Sequence, residues 1–306
     1  MAYVVKRVME MVPVLLVVVA ATFFLSHAVP GGPFDRERPV PAEVKARLEA
    51  YYGLDRPLHE QLGSYVANLA RGDLGPSLKY PGWGVNEVIG PRVPVSISLG
   101  LVSLAVAVLI GVPVGVLAAS RHNTWLDSVP MGLTMVGICI PSFVLGPLLA
   151  LVFAQWLGWV PPCGWGDLRH FLLPAATLGL VTAAPIARLT RAKVVEAGSQ
   201  DYVRTARAKG LPWRRVWFVH ALRNGLLPVV TYLGPAAAGL VSGSFVVESL
   251  FDVPGLGRLF VSSIINRDVT LILGTTLVYA LALLVLNLVA DLAKAALDPR
   301  VARSVR

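Results

Sequence analysis

An all-α integral membrane fold, with six transmembrane helices and a helical loop outside the membrane after the first, is what this sequence predicts. Three observations carry that reading. Hydrophobic residues make up 55% of the 306 and charged ones only 15%, at a mean hydropathy of +0.67; a soluble domain needs more charge to cover its surface. The apolar residues gather into runs close to the roughly 20 residues that a helix needs to cross a bilayer. The charges lie between those runs, with the positive excess on one side.

The first run is Met11 to Val29. Lys6-Arg7 ahead of it and Ser26-His27-Ala28 within it loosely fit a cleaved signal peptide, but the run is long for a signal core. Retained, it places both termini on one side. The following loop is too long to be mere connection, and Pro41 to Ala70 has helical spacing in Val44, Leu48, Tyr51 and Tyr52, then Leu62, Tyr65, Val66 and Leu69. Pro41 suits the first helical position and Gly53 a helix stop. Two supports stay open for the apolar faces of this external cap: the membrane surface or the bundle.

Val93 to Ser120 is the second run and carries no charge. Ser128 to Val160 exceeds one span, so it should hold a helix and a reentrant or external segment. Phe171 to Ala187 is short and interrupted by Pro174 and Pro185. Asn224 to Val247, rich in Gly and Ala, is the fifth run and Val269 to Ala290 the sixth. The chain thus divides into a tail with the first helix (1–29), an external loop (30–94), a core of helices two to six (95–293) and a C-terminal tail (294–306). The core includes a long charged loop, 188–223.

Charge assigns the sides. With the N-terminus cytoplasmic, the N-tail nets +1 and the turn holding Arg121 and Asp127 is neutral. Arg188 to Arg223 has nine basic and two acidic residues, and the tail from Asp291 nets +2. The opposite side has eight of each sign between 30 and 95, a balanced Asp167 and Arg169, and −1 in the last loop. Both termini are therefore expected in the cytoplasm. The net charge of +9 reads as membrane topology, with no nucleic-acid partner.

No catalytic residue or metal set emerges. None of the six lysines follows a glycine, so the phosphate-loop GK pair is missing, and His59-Glu60 is not followed by the second histidine of HExxH. Gly164-Trp165-Gly166-Asp167 fits the GxGD string of intramembrane aspartyl proteases, but no second aspartate stands within a span to pair with it. Ser242-Gly243-Ser244 suits close helix packing better than a serine nucleophile. Cys139, in an apolar run, reads as a small buried thiol, and with Cys163 it forms no CxxC. His27, Glu10 and Glu248 lie near span ends, so a proton-coupled carrier is disfavoured.

The charged loop has internal design. Leu189 to Ala197 continues the fourth helix. Asp201 can cap a short helix, Tyr202 to Lys209, in which Thr205, Ala206 and Ala208 stand between basic residues. Gly210 suits a C′ stop and Pro212 the first position of the next helix. Val216, Val219 and Leu222, with Trp213 and Trp217, would form an apolar stripe at the interface. A positive-inside anchor or an anionic-lipid patch would also explain the charge, though neither requires a capped short helix with small residues, which let a partner surface approach.

These residues carry a resemblance. Asp201 to Leu211 (DYVRTARAKGL) and His220 to Pro228 (HALRNGLLP) resemble the cytoplasmic EAA loop of membrane permeases in the ABC importers for oligopeptides, dipeptides and nickel, the B-type oligopeptide branch most of all. So do Arg71-Gly72-Asp73-Leu74-Gly75, Ser77, Ile140-Pro141-Ser142-Phe143, Leu173-Pro174-Ala175, Glu248 to Phe251, Pro254 to Gly257, Asn266-Arg267-Asp268 and Asp298-Pro299-Arg300. Gly31 to Val44 and Gly72 to Ile89 resemble the oligopeptide type in particular. Arg204-Thr205-Ala206 takes the EAA place without its leading glutamate, a departure common in the peptide branch.

The resemblance implies the ABC type I importer permease fold in a bacterial cytoplasmic (inner) membrane. Its coupling helix would dock on an ATPase through Asp201, Tyr202, Arg204, Thr205, Ala206, Arg207, Ala208, Lys209, Gly210, Leu211 and Pro212, with Arg214 and Arg215 able to pair with ATPase acids or lipid phosphates. It implies no cofactor on this chain, ATP and Mg being held by two partner ATPases of D and F type. A homologous C-type permease and an extracytoplasmic oligopeptide-binding protein complete the implied partners, besides membrane lipid. Gly234, Ala237, Gly239 and Gly243 would line or flank the pathway, or else serve tight helix packing.

Overall fold

The computed structural model describes residues 2–29, 34, 41–212 and 215–297, and the regular elements among them are helices. The first seven are α1 (Ala2–Ala28), α2 (Ala42–Tyr52), α3 (Leu58–Leu69), α4 (Val85–Ile89), α5 (Val93–Ser120), α6 (Trp125–Cys139) and α7 (Ser142–Leu149), the last prolonged by a π-helical stretch, Ala150–Trp156. Then come α8 (Leu168–Gly198), α9 (Asp201–Ala208), a π-helical turn (Val216–Ala221) leading into α10 (Leu222–Gly243), α11 (Phe245–Leu250), α12 (Leu256–Ile265) and α13 (Val269–Leu297). Among the described residues, five helices are long and apolar enough to cross a bilayer, or six if one bent pair counts as a single span.

α5 coincides with its apolar run. α1 starts at Ala2, nine residues before the run expected at Met11. The long run 128–160 is a broken span: α6 and the α7 stretch meet at 108°. Ile140 is extended there (φ −84°, ψ 116°), as expected of a residue ahead of proline. The run 224–247 is likewise divided, between α10 and α11.

α8 joins the short fourth run to its expected continuation, Leu189 to Ala197, in one helix. It runs 31 residues with Pro174 and Pro185 inside it, as transmembrane helices tolerate. It begins at Leu168 because Asp167 is its N-cap: Asp167 Oδ1 accepts from the Arg169 amide at 3.0 Å and lies 2.8 Å from His170 Nδ1. The aspartate of the GxGD string is thus a helix cap.

The chain folds into two compact units: Met1–Ser96 with Pro254–Leu284, and Ile97–Val253 with Val285–Arg306. In the first, Val19 and Phe23 of α1, Tyr65 of α3, Val85 and Ile89 of α4, Leu256 and Leu259 of α12, and Leu271, Leu273 and Leu277 of α13 form one core. For α3 the bundle is therefore the support; α2 buries no residue. Gly53 ends α2 in the left-handed region (φ 68°), as expected, whereas Pro41 is its N-cap with ψ 138°, one position earlier than expected.

The second unit is held by glycines at helix crossings. α5 lies so near α8 that a Cβ on Gly111 would stand 2.7 Å from the Ala183 carbonyl oxygen, and one on Gly115 2.5 Å from that of Ala187. A glycine answers from α8, where a Cβ on Gly179 would sit 2.7 Å from Val106 Cγ1. This is small-residue packing, which brings backbones together where the hydrophobic effect cannot drive association. Cys139, expected to be buried, is exposed at the end of α6, since α6 packs through its other face.

Candidate functional site: a short helix held between two long ones

α9 follows directly on α8. Its N-cap is Gln200 (φ −71°, ψ 154°), so Asp201 occupies the first turn instead of the cap expected for it. There its negative charge suits the positive end of the helix dipole, and it lies 3.6 Å from Arg204 in an exposed pair. The helix stops in a Schellman motif: the Gly210 amide donates to Arg207 O at 2.9 Å and the Leu211 amide to Ala206 O at 3.3 Å. Gly210 adopts φ 75°, a conformation that a Cβ disfavours. The Pro212 carbonyl then accepts from the Arg215 and Val216 amides, which puts Pro212 just ahead of the next helical turn and not inside it.

One face of α9 seats it. Val203 and Ala206 are buried with Val216 and Ala221, and Leu211 packs against them. Val216 and Ala221 stand five apart, the hydrogen-bond spacing of a π-helix. That register change is why Val219, expected on the apolar stripe, is exposed: a widened turn rotates it off the face that an α-helical count would give. Trp213 and Arg214 lie outside the described residues, as do Pro30 to Pro33, Asp35 to Val40 and the Asp298-Pro299-Arg300 string.

The other face is open. Tyr202, Arg204, Thr205, Arg207, Ala208, Lys209 and Gly210 are exposed, as are Asp201, Pro212 and Arg215. The site residues named from sequence thus separate into a presented set and a buried Ala206, with Leu211 half-buried. Val203 was missed as the seat; an apolar residue three before Ala206, among charged neighbours, was the signal.

The flanking helices meet beneath α9. A Cβ on Gly225 of α10 would lie 2.9 Å from Val194 Cα of α8, and Val194 is fully buried. α9 thus packs on the π-helical turn that leads into α10, and α10 packs in turn on α8. The α10 glycines divide. Gly234 is at a crossing with α13, where a Cβ would run into Ala290, and so serves packing; Gly239 faces open space. Ala237 is half-buried and Gly243 ends the helix.

A second polar cluster was not foreseen. Asp127, taken from sequence as half of a neutral turn, is buried. Arg191 of α8 donates to it twice, Nε to Oδ1 and Nη2 to Oδ2 at 2.7 Å. The Asn123 amide donates to Oδ2 at 3.0 Å, with His122 Nδ1 at the same distance. The partners are 64 positions apart, beyond any local pattern.

The family model described as "Binding-protein-dependent transport system inner membrane component" matches residues 111–303. The chain is 44% identical over 301 residues to the oligopeptide transport system permease protein OppB of Haemophilus influenzae, covering 98% of each chain. It is also 44% identical over 299 residues to the dipeptide transport system permease protein DppB of Bacillus subtilis, covering 98% of this chain and 97% of that one. Among solved structures, an inward-facing conformation of the MetNI methionine ABC transporter matches with a TM-score of 0.61 at 18% identity, over 69% of this chain and 96% of that chain. That likeness is one of fold.

Proposed function

The chain belongs to the family of inner membrane components of binding-protein-dependent transport systems, the non-catalytic permeases of ABC transporters, and from that premise we propose that it forms half of an oligopeptide import pathway and couples it to ATP hydrolysis on partner subunits. Cargo follows the relatives: a permease of oligopeptide transport and one of dipeptide transport each align over nearly the whole chain. The other half of the pathway is a homologous permease. An extracytoplasmic oligopeptide-binding protein delivers the cargo.

The observation that carries the coupling role is the two-faced α9. Val203 and Ala206 fix it on the π-helical turn that opens α10, while Tyr202, Arg204, Arg207 and Lys209 are left presented. A push delivered to a capped helix so seated passes to two long helices at once. The presented cations suit an acidic groove on one of the two ATPases, which hold the ATP and Mg. The loop 188–223 is then the cytoplasmic coupling segment, both termini lie in the cytoplasm by the positive excess, and 30–94 is external. Gly239 is the α10 glycine best placed to face the pathway.

Deleting Asp201 to Gly210 tests the reading. The expected outcome is normal membrane insertion with loss of ATPase copurification. ATPases that still copurify in undiminished amount would overturn it.

A further inference from the structure

The broken span α6–α7 is fastened at its start to α8, which leads into α9, and beyond its bend to α11 as well as α8. At one end, Asp127 in the first turn of α6 accepts the bidentate fork of Arg191, which stands ten positions before Asp201 near the end of α8. Along α6, Gly137 faces Ala184 of α8, where a Cβ would stand in ordinary contact at 3.7 Å from the Ala184 Cβ. Beyond the bend, Gly146 of α7 packs so closely on Leu250 and Phe251 that a Cβ there would lie 2.5 Å from Leu250 Cδ2. The Gly164 amide, just past the π-helical stretch, donates to Phe251 O at 2.7 Å. Leu250 and Phe251 follow α10 through α11. Between these attachments lies the extended Ile140 and its following proline.

The ion pair is more than a helix cap. Thr124 is the α6 N-cap but makes no side-chain cap; its hydroxyl bonds back to Arg121 O. The Asp127 carboxylate instead gathers the turn (Asn123 amide and His122 ring) and then reaches across to α8. A planar guanidinium that offers two parallel donors fixes both distance and orientation. The carboxylate is buried, so water does not readily replace that partner.

We infer that Asp127 and Arg191 are positioning residues that make the broken span move with the α8 stem of the coupling segment, so that ATP-driven displacement of α9 changes the bend at Ile140–Pro141. The inference rests on the proposed coupling role of α9. Displacement of α8 draws α6 by its pinned end, while α7, which packs on α8 too, is also held to α11. The freedom left between them is the extended break.

The test is the complete transporter in proteoliposomes, with uptake of labelled oligopeptide and ATP hydrolysis measured together for Asp127→Asn, Arg191→Gln, Arg191→Lys and the exchange Asp127→Arg with Arg191→Asp. ATPase copurification should be retained in all, with uptake per ATP hydrolysed falling about tenfold in Asp127→Asn and Arg191→Gln and less in Arg191→Lys. The exchange should recover at least a third of the wild-type ratio. A ratio within twofold of wild type in both neutralised variants would overturn the inference, as would an exchange no better than the single changes. Should the neutralised variants not reach the membrane, Arg191→Lys and the exchange decide by the same ratio. Loss of ATPase copurification on deleting α9 is a separate readout, so failure of the coupling role is distinguishable from failure of this joint.

Discussion

Ser77 Oγ donates to Asp268 Oδ2 at 2.7 Å across 191 positions of sequence. The same carboxylate oxygen accepts the Leu78 and Lys79 amides, both at 3.0 Å, while Oδ1 accepts the Thr270 hydroxyl at 2.9 Å and the Leu271 amide at 3.0 Å. Asp268 is fully buried. It caps α13 with one oxygen and clamps the segment before α4 with the other. Asn86 closes that segment from its far side, accepting the Leu74 amide at 2.9 Å and donating to Gly72 O at 2.7 Å. Two strings that looked unrelated in sequence, Gly72 to Ser77 and Asn266 to Asp268, are halves of one fastening.

Asp268→Ala should therefore loosen the loop between α3 and α4 more than it harms insertion. It leaves buried donors without an acceptor, at about 1–3 kcal/mol for each that water cannot reach. Limited trypsin digestion of the detergent-solubilised protein should cut at Lys79 at least tenfold faster than in the unaltered chain. Equal rates would show that the clamp does not hold the loop.

Crossing glycines and open ones should answer differently to the same change. Gly115→Ala drives a Cβ against the Ala187 carbonyl and Thr190 and should cost about 1–3 kcal/mol. Gly132→Ala, on α6 with nothing within 4 Å, should be neutral or slightly stabilising. Thermal unfolding in one detergent compares the pair, and equal midpoints would contradict the crossing.

For α9 the seat and the presented face are separable. Val203→Asp puts a carboxylate where Val216 and Ala221 close the pocket and should unseat the helix, lowering ATPase copurification at least fivefold. Gly210→Ala strains the left-handed residue by about 1 kcal/mol and should have a milder effect in the same direction. Arg207→Glu should leave the helix seated, read as unchanged hydrogen exchange over Val203 to Ala206, and still weaken ATPase attachment.

The α8 cap should respond to acid. The hydrogen bond from His170 holds the Asp167 carboxyl below its ordinary value of 3.8, helped by the Arg169 amide. A lowered folded pKa means that the cap's contribution is present above the ordinary value and lost as pH falls through the lowered one. Hydrogen exchange of residues 168–171, corrected for its intrinsic pH dependence, should therefore accelerate only well into acid. His170→Ala should move that midpoint upward; an unmoved midpoint would show that His170 does not support the cap.

Much of this protein is written locally. Apolar runs fix where helices cross, because a bilayer rewards about 20 consecutive apolar residues whatever they later touch. Charge counts give the sides expected of the loops, and the Gly210 stop and Pro212 restart delimit α9, since turn chemistry acts within a few residues. Cap positions slipped by one residue at Pro41, Asp201 and Pro212, because the dihedrals that place a cap belong to the neighbouring turn.

What tertiary structure alone decided are pairings and registers. The π-helical turn brings Val216 and Ala221 onto the face that α9 packs against and leaves Val219 exposed. Gly111 and Gly234 became crossings, and Gly239 an open face, by which helix lay opposite. Asp127 with Arg191, and Ser77 with Asp268, are single polar residues whose partners stand 64 and 191 positions away. Composition and periodicity describe one stretch at a time, so they locate each side chain's helix but not what meets it; burial then makes the pairing obligatory, because an unpartnered buried carboxylate costs several kcal/mol, about as much as a domain can spare.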